Sequence, residues 1–133
     1  MLNRAQKCDI IIVVFEISFF GSCRSIWQLG GKIMVKHVIL WNIKNEYTHE
    51  QKVEIIQNIK RELEGLRGKI PGMLEIKVYT EGFDSSNAEL MLDSSFVDRD
   101  ALKAYSVDPA HVAVADTFVR PFTSTRNCFD FEV

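Results

Sequence analysis

Val35-Lys36-His37-Val38-Ile39-Leu40-Trp41-Asn42-Ile43 reads as a β-strand whose two alternating faces are both apolar at the centre. One face carries Val35, His37, Ile39, Trp41 and Ile43; the other carries Lys36, Val38, Leu40 and Asn42. A strand of this kind needs cover on both sides of its sheet. The rest of the chain has to supply one layer, and something else the other.

Outward from this strand, Thr48-His49-Glu50-Gln51 forms a capping box, in which a threonine oxygen accepts from a free amide while the glutamine reaches back. The helix it opens places Val53, Ile56, Ile59, Leu63 and Leu66 on an apolar stripe. Gly65 and Gly68 loosen its end and Pro71-Gly72 forces a turn. Leu74, Ile76 and Val78 alternate with Glu75, Lys77 and Tyr79 in a second strand. After a polar loop over 82–87, Ala88, Leu90, Leu92 and Phe96 mark one face of a third. Asp98 caps a short helix through Ala101, Leu102 and Tyr105; Asp108-Pro109 starts another, with aspartate as N-cap and proline in the first turn. Pro121 ends it, and residues 125–133 close the chain as a strand with Phe129, Phe131 and Val133 on one side.

The order is β-α-β-β-α-β with its second helix broken in two, an α+β, ferredoxin-like arrangement over residues 34–133. Its four-stranded antiparallel sheet carries both helices on one face. Val38, Leu40, Tyr79 and Met91 then share the other, and a two-fold homodimer buries that apolar area without new sequence.

Sixteen basic against eighteen acidic residues leave a formal charge of −2. Residues 1–33 hold Arg4, Lys7, Arg24 and Lys32 against Asp9 and Glu16, or +2, which leaves −4 for residues 34–133. A mildly acidic domain lacks the basic footprint of a nucleic-acid binder. Cys8, Cys23 and Cys128 form no CxxC pair, which argues against a disulfide framework or structural zinc and for a reducing, cytoplasmic setting. Residues 10–20 are an apolar run too short for a membrane span of about 20 residues. With Arg4 and Lys7 before it and Gly21-Ser22-Cys23 after it, the run has a faint signal-peptide outline, although Asp9 and Glu16 are misplaced for one. A different reading is that Gly30-Gly31-Lys32-Ile33 translates a purine-rich ribosome-binding run and that Met34 starts the domain, making residues 1–33 translated upstream sequence. A hairpin or helix packed on the domain is the third reading.

Residues 34–133 resemble the stress-responsive dimeric α/β barrel family. The resemblance rests on Val35-Lys36-His37-Val38, Gly68-Lys69-Ile70-Pro71-Gly72, Phe96-Val97-Asp98-Arg99-Asp100-Ala101-Leu102, Tyr105-Ser106-Val107-Asp108-Pro109-Ala110-His111 and Phe129-Asp130-Phe131-Glu132, in that order. It implies a homodimer whose two sheets close into a barrel with helices outside. More distantly the domain is similar to olivetolic acid cyclase, a plant member that closes a polyketide by aldol condensation. Its tyrosine, its histidine six residues on and its first-strand histidine correspond to Tyr105, His111 and His37.

An imidazole titrating near neutrality can move a proton from a carbon acid, and a phenol can hydrogen-bond an enolate oxygen as charge develops. His37, Tyr105 and His111 are therefore the expected catalytic residues, with Ile39, Trp41, Leu92 and Phe129 as the apolar lining of a ligand site. The same three residues also have a plain reading as backbone-bonding histidines and a core tyrosine. Asp130 and Glu132 face away from Phe129 and Phe131 and are expected to stabilise barrel pairing. No metal is expected, since no acid stands at ligand spacing from His37 and His111. No cofactor is expected either: GxGxxG, P-loop, GxSxG and HExxH motifs are all absent. Two functions stand. One is a dimer that binds a small apolar or carbonyl ligand without turnover; the other is a cofactor-independent lyase or cyclase of polyketide type. The second requires a pocket of drug-like size.

Overall fold

The strand β1 (Val35–Ile43) lies inside a sheet of order β2-β3-β1-β4, antiparallel at every pairing. The computed structural model describes residues 33–133. The three readings of the N-terminal segment, with Cys8 and Cys23, fall on residues 1–32 and lie outside the described residues. The other elements are α1 (His49–Glu64), β2 (Met73–Tyr79), β3 (Leu90–Phe96), α2 (Arg99–Val107), α3 (Pro109–Val114) and β4 (Thr123–Glu132). A π-helical turn, Ala115–Val119, follows α3 directly. The β-α-β-β-α-β order with a divided second helix is thus observed. Among the described residues no helix is long and apolar enough to cross a membrane.

Local chemistry sets the helix ends. Thr48 and Gln51 close the capping box, with the Gln51 amide donating to Thr48 Oγ1 at 3.2 Å and the Thr48 amide to Gln51 Oε1 at 2.9 Å. Asp98 accepts from the Ala101 amide and Asp108 from the Ala110 amide, both at 2.8 Å. With Pro109 in its first turn, α3 starts afresh rather than prolonging α2. That break turns the chain where the site is built.

The core lies between the sheet and its helices. Ile39, Trp41, Ile76, Val78, Leu92 and Phe96 from the sheet meet Ile55, Ile59 and Leu63 of α1, with Tyr105 and Val119 completing the cluster. The stripe expected on α1 is corrected by this packing: Ile55 is buried, Ile56 is half-buried and Val53 is 46% exposed. At 100° per residue, Val53 stands roughly 120° round from Ile59, whereas Ile55 stands only about 40° away. Leu74, expected inward, is 49% exposed, because the β2–β3 register shifts between Met73 and Glu75 and turns it out of the ladder. β4 begins at Thr123, two residues earlier than expected.

The helix-free face carries Leu40, Tyr79, Phe129 and Phe131, all exposed, with Val38 and Met91 half-buried beside them. Leu40 stands opposite Met91, Met91 opposite Tyr79, and Val38 opposite Phe129.

Candidate functional site

On the helix side, His37, Tyr105 and His111 line one cavity of about 160 Å³. The alternation of β1 aims His37 towards the helices beside Ile39 and Trp41, and it is 8% exposed. Tyr105 comes from the last turn of α2 and is 1% exposed. His111 comes from the first turn of α3. The Asp108-Pro109 break folds the two helices so that their rings pack with centroids 4.0 Å apart at 34°. The His37 ring meets the Tyr105 ring edge-on, at 6.0 Å and 72°. The three expected residues are therefore assembled round one phenol.

Their polar atoms are poised differently. The Tyr105 hydroxyl and His111 Nδ1 are both buried and have no hydrogen-bond partner among the described residues. Burial pushes the Tyr105 phenol well above its ordinary range, and the Arg126 charge opposes this only in part. The phenol thus stays a donor at any physiological pH. Burial, and then the charges of Arg120 and His37, hold His111 below the usual imidazole value. The Ser106 and Tyr105 carbonyls pull the other way without prevailing. His111 is a neutral acid-base group near pH 7, able to accept a proton through one nitrogen.

His37 has a partner: its Nδ1 lies 2.6 Å from Asp130 Oδ1. This corrects the expectation for Asp130. The β1–β4 register sets Asp130 opposite His37, and so turns the carboxylate to the helix side rather than to a barrel contact. A carboxylate on Nδ1 fixes the imidazole tautomer and leaves Nε2 free to act. The same register sets Phe129 opposite Val38 on the helix-free face, 68% exposed and outside the cavity lining. Phe129 is therefore not a lining residue. Ile39, Trp41 and Leu92 are, joined by Leu63, Leu102 and Val119. Glu132 pairs with Arg99 at 2.7 Å.

Cys128 Sγ lies 3.4 Å from Asp130 Oδ1 and 3.8 Å from His37 Nδ1, so the three donor atoms fall within one 4.8 Å cluster. Burial and the Asp130 carboxylate raise the thiol above its usual value. The His37–Asp130 separation is that of a direct hydrogen bond; tetrahedral ligands of one zinc ion stand roughly 3.3 Å apart. The trio is a hydrogen-bonded cluster whose members have the donor types for a metal, on condition that this contact opens.

Sequence reasoning missed Ser106, Arg120, Thr123 and Arg126 at the cavity. Arg126 had a partial signal, since alternation along β4 sets it on the same face as Cys128 and Asp130; Thr123, of opposite parity, had none, because only the register shift at Asn42/Ile43 brings it to that face. Arg120 had none before the π-helical turn was seen.

No curated protein matches the chain in sequence. Among solved structures it is similar to a dimeric protein of unknown function with a ferredoxin-like fold from Bacteroides fragilis, at 28% identity and TM-score 0.70, over 75% of this chain and 96% of that one. A Dabb family protein from Mesorhizobium loti aligns at 17% identity and TM-score 0.58, over 74% and 95% of the two chains. The hydroxynitrile lyase of Passiflora edulis aligns at 17% and 0.59, over 75% and 93%. The family described as "Stress responsive A/B Barrel Domain" matches residues 35–133. On that match, and on the fold it shares with these structures, the chain belongs to the stress-responsive α/β barrel domain family.

Proposed function

We propose that the chain forms a homodimer through its helix-free sheet faces, and that each protomer binds a small apolar carbonyl compound between sheet and helices. The observation that carries the binding site is the pair of unpartnered buried atoms, the Tyr105 hydroxyl and His111 Nδ1, on the wall of a cavity whose middle is lined by Ile39, Trp41, Leu63 and Leu92. A buried polar atom left without a partner costs about 1–3 kcal/mol, which a ligand carbonyl oxygen would recover at the Tyr105 hydroxyl. The Tyr105 hydroxyl donates to the carbonyl, and His37, Ile39, Trp41 and Leu92 enclose the body. A cytoplasmic setting without nucleic-acid partners accompanies this reading.

Acetophenone tests it by isothermal titration calorimetry. The expected result is saturable binding to the native chain, weakened about tenfold in Tyr105→Phe, which keeps the ring and loses the donor. Absence of saturable binding, or equal affinity in the variant, overturns it.

A second reading, turnover of a small carbonyl compound by a cofactor-independent lyase, is favoured by the Asp130-held His37 and the neutral His111 flanking a phenol donor. The cavity volume limits what such an enzyme would take: about 160 Å³ lies below the roughly 300–1,000 Å³ of drug-sized sites, so an extended polyketide does not fit. A small carbonyl compound does. The Passiflora lyase supports this by fold alone. Exchange of the acetophenone methyl protons in D₂O, followed by NMR, separates the readings. Turnover chemistry predicts protein-accelerated exchange that His111→Ala abolishes, and binding alone predicts none.

A further inference from the structure

The wall of the cavity is electrostatically one-sided. Arg120 and Arg126 line it and no carboxylate does. Arg120 already pairs with Asp116 along the π-helical turn. Arg126 has no ion-pair partner among the described residues. It stands opposite Trp41 on β4 and, with His37, Leu102 and Ser106, lines both the cavity and the adjoining groove. Its charge bears on Tyr105 from one side and on Cys128 from the other. The acids of that groove are engaged elsewhere, Asp130 with His37 and Glu132 with Arg99.

We propose that Arg126 is an anion anchor, and that the ligand is an apolar carbonyl compound carrying one ionised carboxylate. This rests on the binding site proposed above and names its ligand class. The carbonyl oxygen meets the Tyr105 hydroxyl, the body lies against Trp41, and the carboxylate reaches the guanidinium at the mouth. Three features agree on this polarity. The buried donor at the closed end selects an oxygen, the apolar middle selects a ring or short chain, and the planar fork of an arginine suits a carboxylate. An engineered cavity of about 150 Å³ holds a benzene ring, so the space beside Trp41 takes one ring while the charged group stays at the rim.

Three probes separate the terms: 4-acetylbenzoate, its methyl ester, which keeps the shape without the charge, and acetophenone. Calorimetry on the full chain should show 4-acetylbenzoate binding about tenfold or more tightly than the ester, as expected for a charge-assisted hydrogen bond. That preference should vanish in Arg126→Gln, survive in part in Arg126→Lys, and shrink as sodium chloride is raised. Arg126 is exposed on an edge strand, and circular dichroism of each variant confirms that the fold is kept. Equal binding of acid and ester by the native chain, or a preference that persists in Arg126→Gln, overturns the anchor while acetophenone binding leaves the cavity reading intact. Binding of none of the three overturns both.

Discussion

Strand alternation and the Asp108-Pro109 break bring Tyr105, His111 and His37 together, and their surroundings set each polar group differently. The phenol is kept protonated by burial, His111 is kept neutral by burial and the nearby Arg120 charge, and His37 is held by a carboxylate. A donor, a neutral acceptor and an oriented imidazole meet in one cavity, which is the set that carbonyl recognition or enolisation needs. For His111 the sign is definite. Its folded value is lowered, so it is neutral in the fold while the unfolded chain still takes up a proton at the ordinary value near 6.5. That contribution to stability is present above pH 6.5 and falls as pH drops towards the folded value. NMR titration of the imidazole resonances should place the His111 midpoint below 6.5. Thermal melts of His111→Gln should fall off less steeply than the native protein just below pH 6.5. A His111 midpoint at or above the free value would refute the neutral acceptor. The candidate trio was named through the resemblance to olivetolic acid cyclase, and the fold sets the three side chains round one cavity. Asp130 was misjudged because alternation puts residues 129 and 130 on opposite faces without saying which face has helices.

At the level of elements, two junctions hold the helices to the sheet. Gly72 precedes β2 with φ of 80°, and a Cβ there would come within 2.6 Å of the Ala101 Cβ on α2. Gly72→Ala should destabilise the fold by about 1–3 kcal/mol, from the positive φ and the close approach together, read as a lower midpoint in urea. Gly68 has the same φ with nothing within 4 Å of a Cβ, so Gly68→Ala should cost less. The second junction is Glu64 at the end of α1, whose Oε1 accepts from the Val78 amide and from Lys60 Nζ, both at 2.9 Å. Burial raises its value, but the Val78 and Lys60 hydrogen bonds outweigh that and the net shift is downward. A lowered carboxylate stabilises the fold above its unfolded value near 4.5 and loses that effect as pH falls through the folded value. Glu64→Gln should therefore flatten the stability-against-pH curve below about pH 4.5 and lower stability at pH 7. An unchanged acid limb would show that Glu64 is not the group responsible. The starts of α1, α2 and α3 were legible because N-capping is local chemistry, whereas the end of α3 at Val114, before the π-helical turn, was not. The inward face of α1 was not, because rows offset by one residue both look apolar and only contact with the sheet chooses between them.

For the whole molecule, the helix-free face joins the exposed side chains of Leu40, Tyr79, Phe129 and Phe131 across the sheet. Light scattering after size exclusion should return twice the chain mass, and Leu40→Asp, at the centre of that face, should return the single mass with secondary structure retained. A native monomer would remove the proposed barrel while leaving the cavity, which is built within one protomer. The face of β1 that needs a partner was evident from nine residues, and the order of elements from periodicity and caps, since both depend on near neighbours along the chain. What the tertiary structure alone decided was long-range. The pairing of β1 with β4 put Asp130 on His37, Arg126 opposite Trp41 and Phe129 on the far side, and the turn between α3 and β4 brought Arg120 to the cavity wall. Strand register is set by packing between residues some ninety positions apart, and a one-residue slip exchanges every side chain between the two faces. The sequence by itself therefore determined which side chains alternate, and the folded sheet decided which of them share a site.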